Sequence, residues 1–277
     1  MTIDNFEYIT TEETKSEIIV FASAKGGVGK TVLTVNMAVA IASKGFSTCI
    51  IDGNFQFGDV NLALNIEPKL TISDVIHDVN SLDSNMLLNY LQNHDSGVKI
   101  LSAPLKPEYA DLITSTEIKV ICKKLLEQHD YLIVDLSSGL SENNISFLEL
   151  ADKIFLVTDL EMAALKNTKI MLKTLNALNL SEKIRIIVNR GDMESVIKFK
   201  DVKDILGMDN LLFIPNNFKV VSKSFNIGIP FVINKPKEKI SNEIINIASE
   251  IYRNKYFPRH RRRKKQSLMG FFKRKRN

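Results

Sequence analysis

The chain has 277 residues, 44% apolar and 25% charged, ordinary values for a globular protein with one large α/β core or two small ones. No stretch approaches the roughly 18 uninterrupted apolar residues of a transmembrane helix, and the acidic start MTIDNFEYITTEETKSE lacks the basic and apolar regions of a secretory signal, so a cytoplasmic protein is expected. The net charge of +5 hides a division, because twelve of the 37 Lys and Arg fall in residues 253–277 and leave 25 basic against 32 acidic residues elsewhere, an acidic body with a basic tail.

Residues 1–16 are expected to form a mobile leader. SEIIVFAS (residues 16–23) is a short apolar run suited to a central parallel strand. A glycine-rich turn follows, then TVLTVNMAVAIASKG, with small apolar residues at helical spacing and Gly45 as a stop. STCIIDG (47–53) reads as a second buried strand. VKILSAP (98–104), YLIVDLSSG (131–139), KIFLVTD (153–159), KIRIIVN (183–189) and LLFIP (211–215) read as further strands. Helical patterns separate them, including TEIKVICKKLLEQH, EMAALKNTKIMLKTLNAL and a final helix over about residues 238–253. This alternation predicts a doubly wound, mostly parallel β-sheet flanked by helices. Cys49 and Cys122 lie in apolar contexts without metal-ligand spacing, which predicts buried free thiols. The economical division is a leader (1–16), one α/β domain (17–253) and a basic tail (254–277).

The stretch SAKGGVGKTV (23–32) joins the first strand to the first helix. Gly26, Gly27 and Gly29 let backbone N–H groups converge on phosphate oxygens, and the helix N-terminus adds partial positive charge. The binding segment runs on through Val28 and Val32. Lys30 is expected to neutralise the β- and γ-phosphates of a nucleotide, and the Thr31 hydroxyl to ligate Mg²⁺. The usual pattern begins with Gly where this sequence has Ala24, and it needs only one lysine, which leaves Lys25 without a role. Asp135, closing the apolar run YLIVD beside this loop, is well placed to hold the Mg²⁺ hydration shell.

KGGVGKT resembles the deviant Walker A motif of the MinD/ParA family of ATPases. The resemblance implies that Lys25 reaches across an ATP-dependent homodimer to the partner's phosphates, as an arginine finger does in trans; the spacing alone equally allows a solvated surface lysine. It also implies that Asp135 is the Walker B aspartate, that SSG after it is the second switch, and that Asp52 is the first switch I aspartate, near the metal and the attacking water. Relatives usually read Asp-x-Asp at switch I, and here Asn54 stands at the second place. An amide carries no charge and is a very weak base, so slow ATP hydrolysis is expected. Asn189 matches the family's base-recognising asparagine, and Pro215 falls in its base-side loop, which together favour ATP over GTP.

QFGDVNLALNIEPKLTISDVI (56–76) is similar to the CpaE/TadZ branch, MinD-like proteins of type IV, or tight-adherence, pilus assembly. SGVKILSAPLKPEYADLIT (96–114), the region from VDLSSG to KNTK, and NIGIPFV (226–232) extend the likeness over residues 16–250. The receiver-like N-terminal domain common in that branch is not expected here, since about sixteen residues precede the first strand. In the tail, Leu268, Met269, Phe271 and Phe272 share one face of a helix, flanked by RHRRRKK and by Lys273 and Arg274. That pattern suits a helix lying on an anionic membrane surface. A solvated tail and a nucleic-acid contact are the alternatives, the latter because polybasic runs bind any phosphate. The leading expectation is an ATP-dependent membrane-bound organiser that works with pilus or secretion machinery. The alternatives are a ParA-like DNA-partitioning protein and a MinD-like septum-site or flagellar-number regulator.

Overall fold

The computed structural model describes residues 16–253; the leader and the predicted tail helix, with Leu268, Met269, Phe271, Phe272, Lys273 and Arg274, lie outside the described residues. Eight strands form one sheet: β1 (Glu17–Ser23), β2 (Thr48–Gly53), β3 (Gln92–Asn93), β4 (Lys99–Leu101), β5 (Tyr131–Ser138), β6 (Lys153–Thr158), β7 (Ile184–Val188) and β8 (Leu211–Phe213). Their order is β3-β4-β2-β5-β1-β6-β7-β8. All neighbouring pairs are parallel except β3 with β4.

Central strands buried on both faces need apolar residues at every position, and their two residue parities feed two cores. Ile18, Val20 and Ala22 of β1 pack in one, Ile19 and Phe21 in the other. Helix α1 (Lys30–Ala42) is buried without a break from Leu33 to Ile41. It lies between the sheet and the last helix, Lys239–Tyr252, which explains why its small apolar residues run all round it and not along one stripe. Gly45 ends the segment with φ +89°. Cys49 and Cys122 are free and buried, as expected.

The departures from the sequence reading are local, one being that the strand expected through Pro104 stops at Leu101. The strand expected through Pro215 stops at Phe213, and Ile214 N–H still donates to Val188 O (3.0 Å) as the chain turns away. The two-residue edge strand β3 carries only Gln92 and Asn93, so no apolar run announced it. Among the described residues no helix is long and apolar enough to cross a membrane.

Candidate functional site

The C-terminal ends of β1, β2, β5 and β7 converge on the start of α1, where chain direction diverges from β1 to both sides of the sheet, the usual place for a ligand in such folds. Register sets the key pair, since Asp52 on β2 lies directly opposite Asp135 on β5. Both carboxylates are almost wholly buried.

Asp135 organises the start of α1. Thr31 Oγ1 donates to its Oδ2 (2.6 Å), Thr34 Oγ1 to its Oδ1 (2.9 Å), and Lys30 Nζ lies 3.4 Å from Oδ1. The Lys30 ammonium also donates to Leu136 O. A hydroxyl, a carboxylate and a lysine thus meet at the mouth of a helix N-terminus, an arrangement that favours anionic phosphate together with a hard cation. Thr31 and Asp135 supply oxygen donors of the right kind for Mg²⁺, with Asp52 adjacent. Among the described residues no group of three or more His, Cys, Asp or Glu converges. A metal here would draw most of its ligands from substrate phosphates and water, as Mg²⁺ usually does.

Asp52 accepts backbone hydrogen bonds from Asn54 N (3.2 Å) and Val60 N (3.1 Å). Burial, followed by the charge of Asp135, nonetheless pushes its carboxyl up to about 8, and the two backbone donors and Lys30 only partly offset this. The folded chain therefore keeps a proton that the unfolded carboxyl, near 4, releases. The contribution of Asp52 to stability is greatest at and below about pH 4, falls as pH rises towards 8 and is level beyond. In urea unfolding of the metal-free protein, Asp52→Asn should gain on the wild type steadily between pH 5 and 8. A difference independent of pH would contradict this assignment.

The phosphate loop is held from the far side by β7. Asn189 Nδ2 donates to Val28 O (2.8 Å), Asn189 Oδ1 accepts from Arg190 N (3.0 Å), and the Arg190 guanidinium donates to Gly27 O (3.3 Å). Gly29 has φ +90° and lies so close to the Asn189 amide that a Cβ there would overlap it. Asn189 and Pro215 share the lining of a cavity of about 260 Å³ with Gly29, Val32, Phe218 and Val221, so the two expected base-side residues do come together beside the loop. The Asn189 amide is already engaged with the loop itself.

Lys25 is placed differently from Lys30. Its ammonium pairs with Glu161 at the start of the helix Met162–Ala177, at the surface, and that carboxylate raises the lysine's pKa. The segment Ser137–Gly139 at the end of β5 is fixed by Asn144, whose Nδ2 donates to Gly139 O (2.9 Å) and to Ser137 Oγ (3.1 Å). Gly139 N donates to Ser23 O (2.9 Å), tying this segment to the end of β1.

Sequence reasoning did not single out Thr34, Asn144, Glu161 or Arg190. Thr34 follows Thr31 by three on one helix face, a signal that was available. Asn144 joins through the short turn after β5, and Glu161 and Arg190 join the site only through sheet order.

Residues 16–188 match the family described as AAA domain. The septum site-determining protein MinD of Thermotoga maritima is 28% identical over 242 residues, which cover 84% of this chain and 87% of that protein. Among solved structures, a ParA family ATPase from Chlorobium tepidum TLS superposes with a TM-score of 0.79 at 23% identity, covering 85% of this chain and 98% of that one, a likeness of fold. The septum site-determining protein MinD of Pyrococcus horikoshii OT3, complexed with Mg-ADP, superposes with a TM-score of 0.74 at 26% identity, covering 85% and 96%.

Proposed function

The chain belongs to the MinD/ParA family of P-loop ATPases, and from that membership we propose that it binds Mg·ATP, closes into a homodimer around it, and then holds an anionic membrane surface through residues 254–277. Thr31, Asp52 and Asp135 attend the cation, the loop from Lys25 to Val32 the phosphates, and Asn189 and Pro215 the base side. Hydrolysis is slow because Asn54 lacks a carboxylate. The destination, a pilus or secretion assembly site, rests on the CpaE/TadZ-like stretches 56–76 and 96–114.

The observation that carries the reading is the division of labour between the two lysines. Lys30 turns into the site towards Asp135 and Leu136, while Lys25 stands outside it on Glu161. A lysine on the rim, held by one exposed carboxylate, is available to a second copy's phosphates. One tail per monomer binds a membrane weakly, and two in a dimer bind far better through effective concentration.

The reading predicts that ATP doubles the mass seen in solution and drives co-sedimentation with anionic liposomes. Lys25→Ala should stay at the single mass and lose the ATP-dependent part of sedimentation. Phe271→Asp/Phe272→Asp should dimerise yet fail to sediment. Tight ATP-dependent DNA binding that survives removal of residues 254–277 would instead place the protein with DNA-partitioning ATPases.

A further inference from the structure

Asn54 does not offer a free amide to the site, because its Nδ2 donates to the Phe57 carbonyl and closes a turn over residues 54–57. The FGDV segment begins at the last residue of that turn. Gly58 runs directly against Asp52 and Ala103, since a Cβ at this position would lie 2.8 Å from Asp52 Cγ and 2.6 Å from Ala103 Cβ. Two residues on, Val60 N donates to Asp52 Oδ2 (3.1 Å). Gly58 and Val60 are thus both anchored on the switch I aspartate, and they hold Asp59 between them beside Asp52, which lies opposite Asp135.

Asp59 occupies the N-cap position of the short helix Val60–Ala63. An aspartate there ordinarily turns its carboxylate onto the helix's own N–H groups. This carboxylate makes no such bond, and among the described residues no other hydrogen bond or ion pair claims it. Its side chain is exposed yet within electrostatic reach of the site: desolvation, followed by the charge of Asp135, raises its pKa, and Lys30 opposes them.

We propose that Asp59 is the water-positioning carboxylate of this ATPase, supplying from five residues further along the chain what Asn54 lacks. The proposal rests on the ATPase reading above. The water oxygen forms a bond to the γ-phosphorus as the bond from that phosphorus to the β,γ-bridging oxygen breaks. One water proton passes to the Asp59 carboxylate and from there to the released phosphate, so ATP and water give ADP and inorganic phosphate. Asp59 reaches out from an N-cap, less rigidly than a carboxylate at the end of β2 would be held, which agrees with slow turnover.

The experiment uses the full-length chain and three readouts: binding of a fluorescent ATP analogue with Mg²⁺, trapping of ADP with aluminium fluoride as a mimic of the phosphoryl group in transfer, and single-turnover hydrolysis. Asp59→Asn is expected to bind the ATP analogue within about twofold of wild type while trapping and single-turnover rate fall at least about tenfold, the low end for loss of a positioned base. Asp59→Glu should recover part of both. Asn54→Asp should raise the wild-type rate and restore trapping in the Asp59→Asn background. Unchanged trapping and rate in Asp59→Asn overturn the proposal and leave the ATPase reading standing. Loss of ATP-analogue binding in Asp59→Asn also overturns it, by showing a structural or binding role. A wild-type chain that binds no ATP overturns both.

Discussion

Lys30→Met should lower ATP affinity by at least about a hundredfold, in line with the 2–5 kcal/mol lost when one partner of a buried charged contact is removed. Methionine keeps most of the side chain's length and apolar bulk, so the loss reports charge and not shape. The same substitution should reduce the stability of the nucleotide-free protein. Lys30 is the cation that faces the buried Asp135 carboxylate, and its side chain is only 10% exposed. Breaking such a pair costs about 3–5 kcal/mol, but the 3.4 Å separation and the hydroxyls of Thr31 and Thr34, which still donate to Asp135, place the expected loss near 2–3 kcal/mol. Urea unfolding reads the second effect and fluorescent-nucleotide titration the first. Full ATP affinity in Lys30→Met would remove the phosphate role from Lys30, whatever the stability showed.

The parts of this site that were legible beforehand are those that the chain writes locally. A strand, three glycines, Lys30, Thr31 and a helix are contiguous, and each has a reason to be where it is. Buried strands were legible for a similar reason, since burial on both faces demands an uninterrupted apolar run. β3 had no such run, being a sheet edge that needs only backbone pairing. Asp135 could be singled out because a carboxylate closing a buried apolar run is costly without a partner. That its partners are Thr31, Thr34 and Lys30, about a hundred residues away, depends on β5 lying beside β1, which no local pattern encodes.

Asn54 and Asn189 show where resemblance alone stops short. Asn189 resembles a family residue and Asn54 stands where the resemblance implies an aspartate, yet the structure shows both amides engaged by backbone: Asn54 with Phe57 O, Asn189 with Val28 O and Arg190 N. A side-chain amide has both a donor and an acceptor end and can be satisfied by whichever backbone group is nearest. Its recognition role then depends on which contact a ligand displaces. Asp59 poses the reverse case, a carboxylate at a place where local rules predict capping and which, among the described residues, makes no capping bond.

The join between β7 and the phosphate loop is where the second large effect is expected, from Gly29→Ala. Gly29 sits at φ +90°, ψ 20° as the N-cap of α1, and an L-residue held in the left-handed region costs about 1–2 kcal/mol. The new Cβ would also occupy the place of Asn189 Nδ2. That amide can move only by giving up its bond to Val28 O at 2.8 Å, worth about 1 kcal/mol net. The two terms predict a loss of about 2–3 kcal/mol on urea unfolding and, because Val28 and Gly29 shape the cradle, near-complete loss of ATP binding. The terms can be separated. Asn189→Ala alone loses the bond but opens space, so in the Gly29→Ala/Asn189→Ala double variant the clash disappears and only backbone strain is added to the effect of Asn189→Ala. The double variant should therefore be more stable than the sum of the two single losses implies, by about 1 kcal/mol in a double-mutant cycle. Strict additivity would mean that the loop relaxes away from β7 without cost, and that Asn189 does not clamp it.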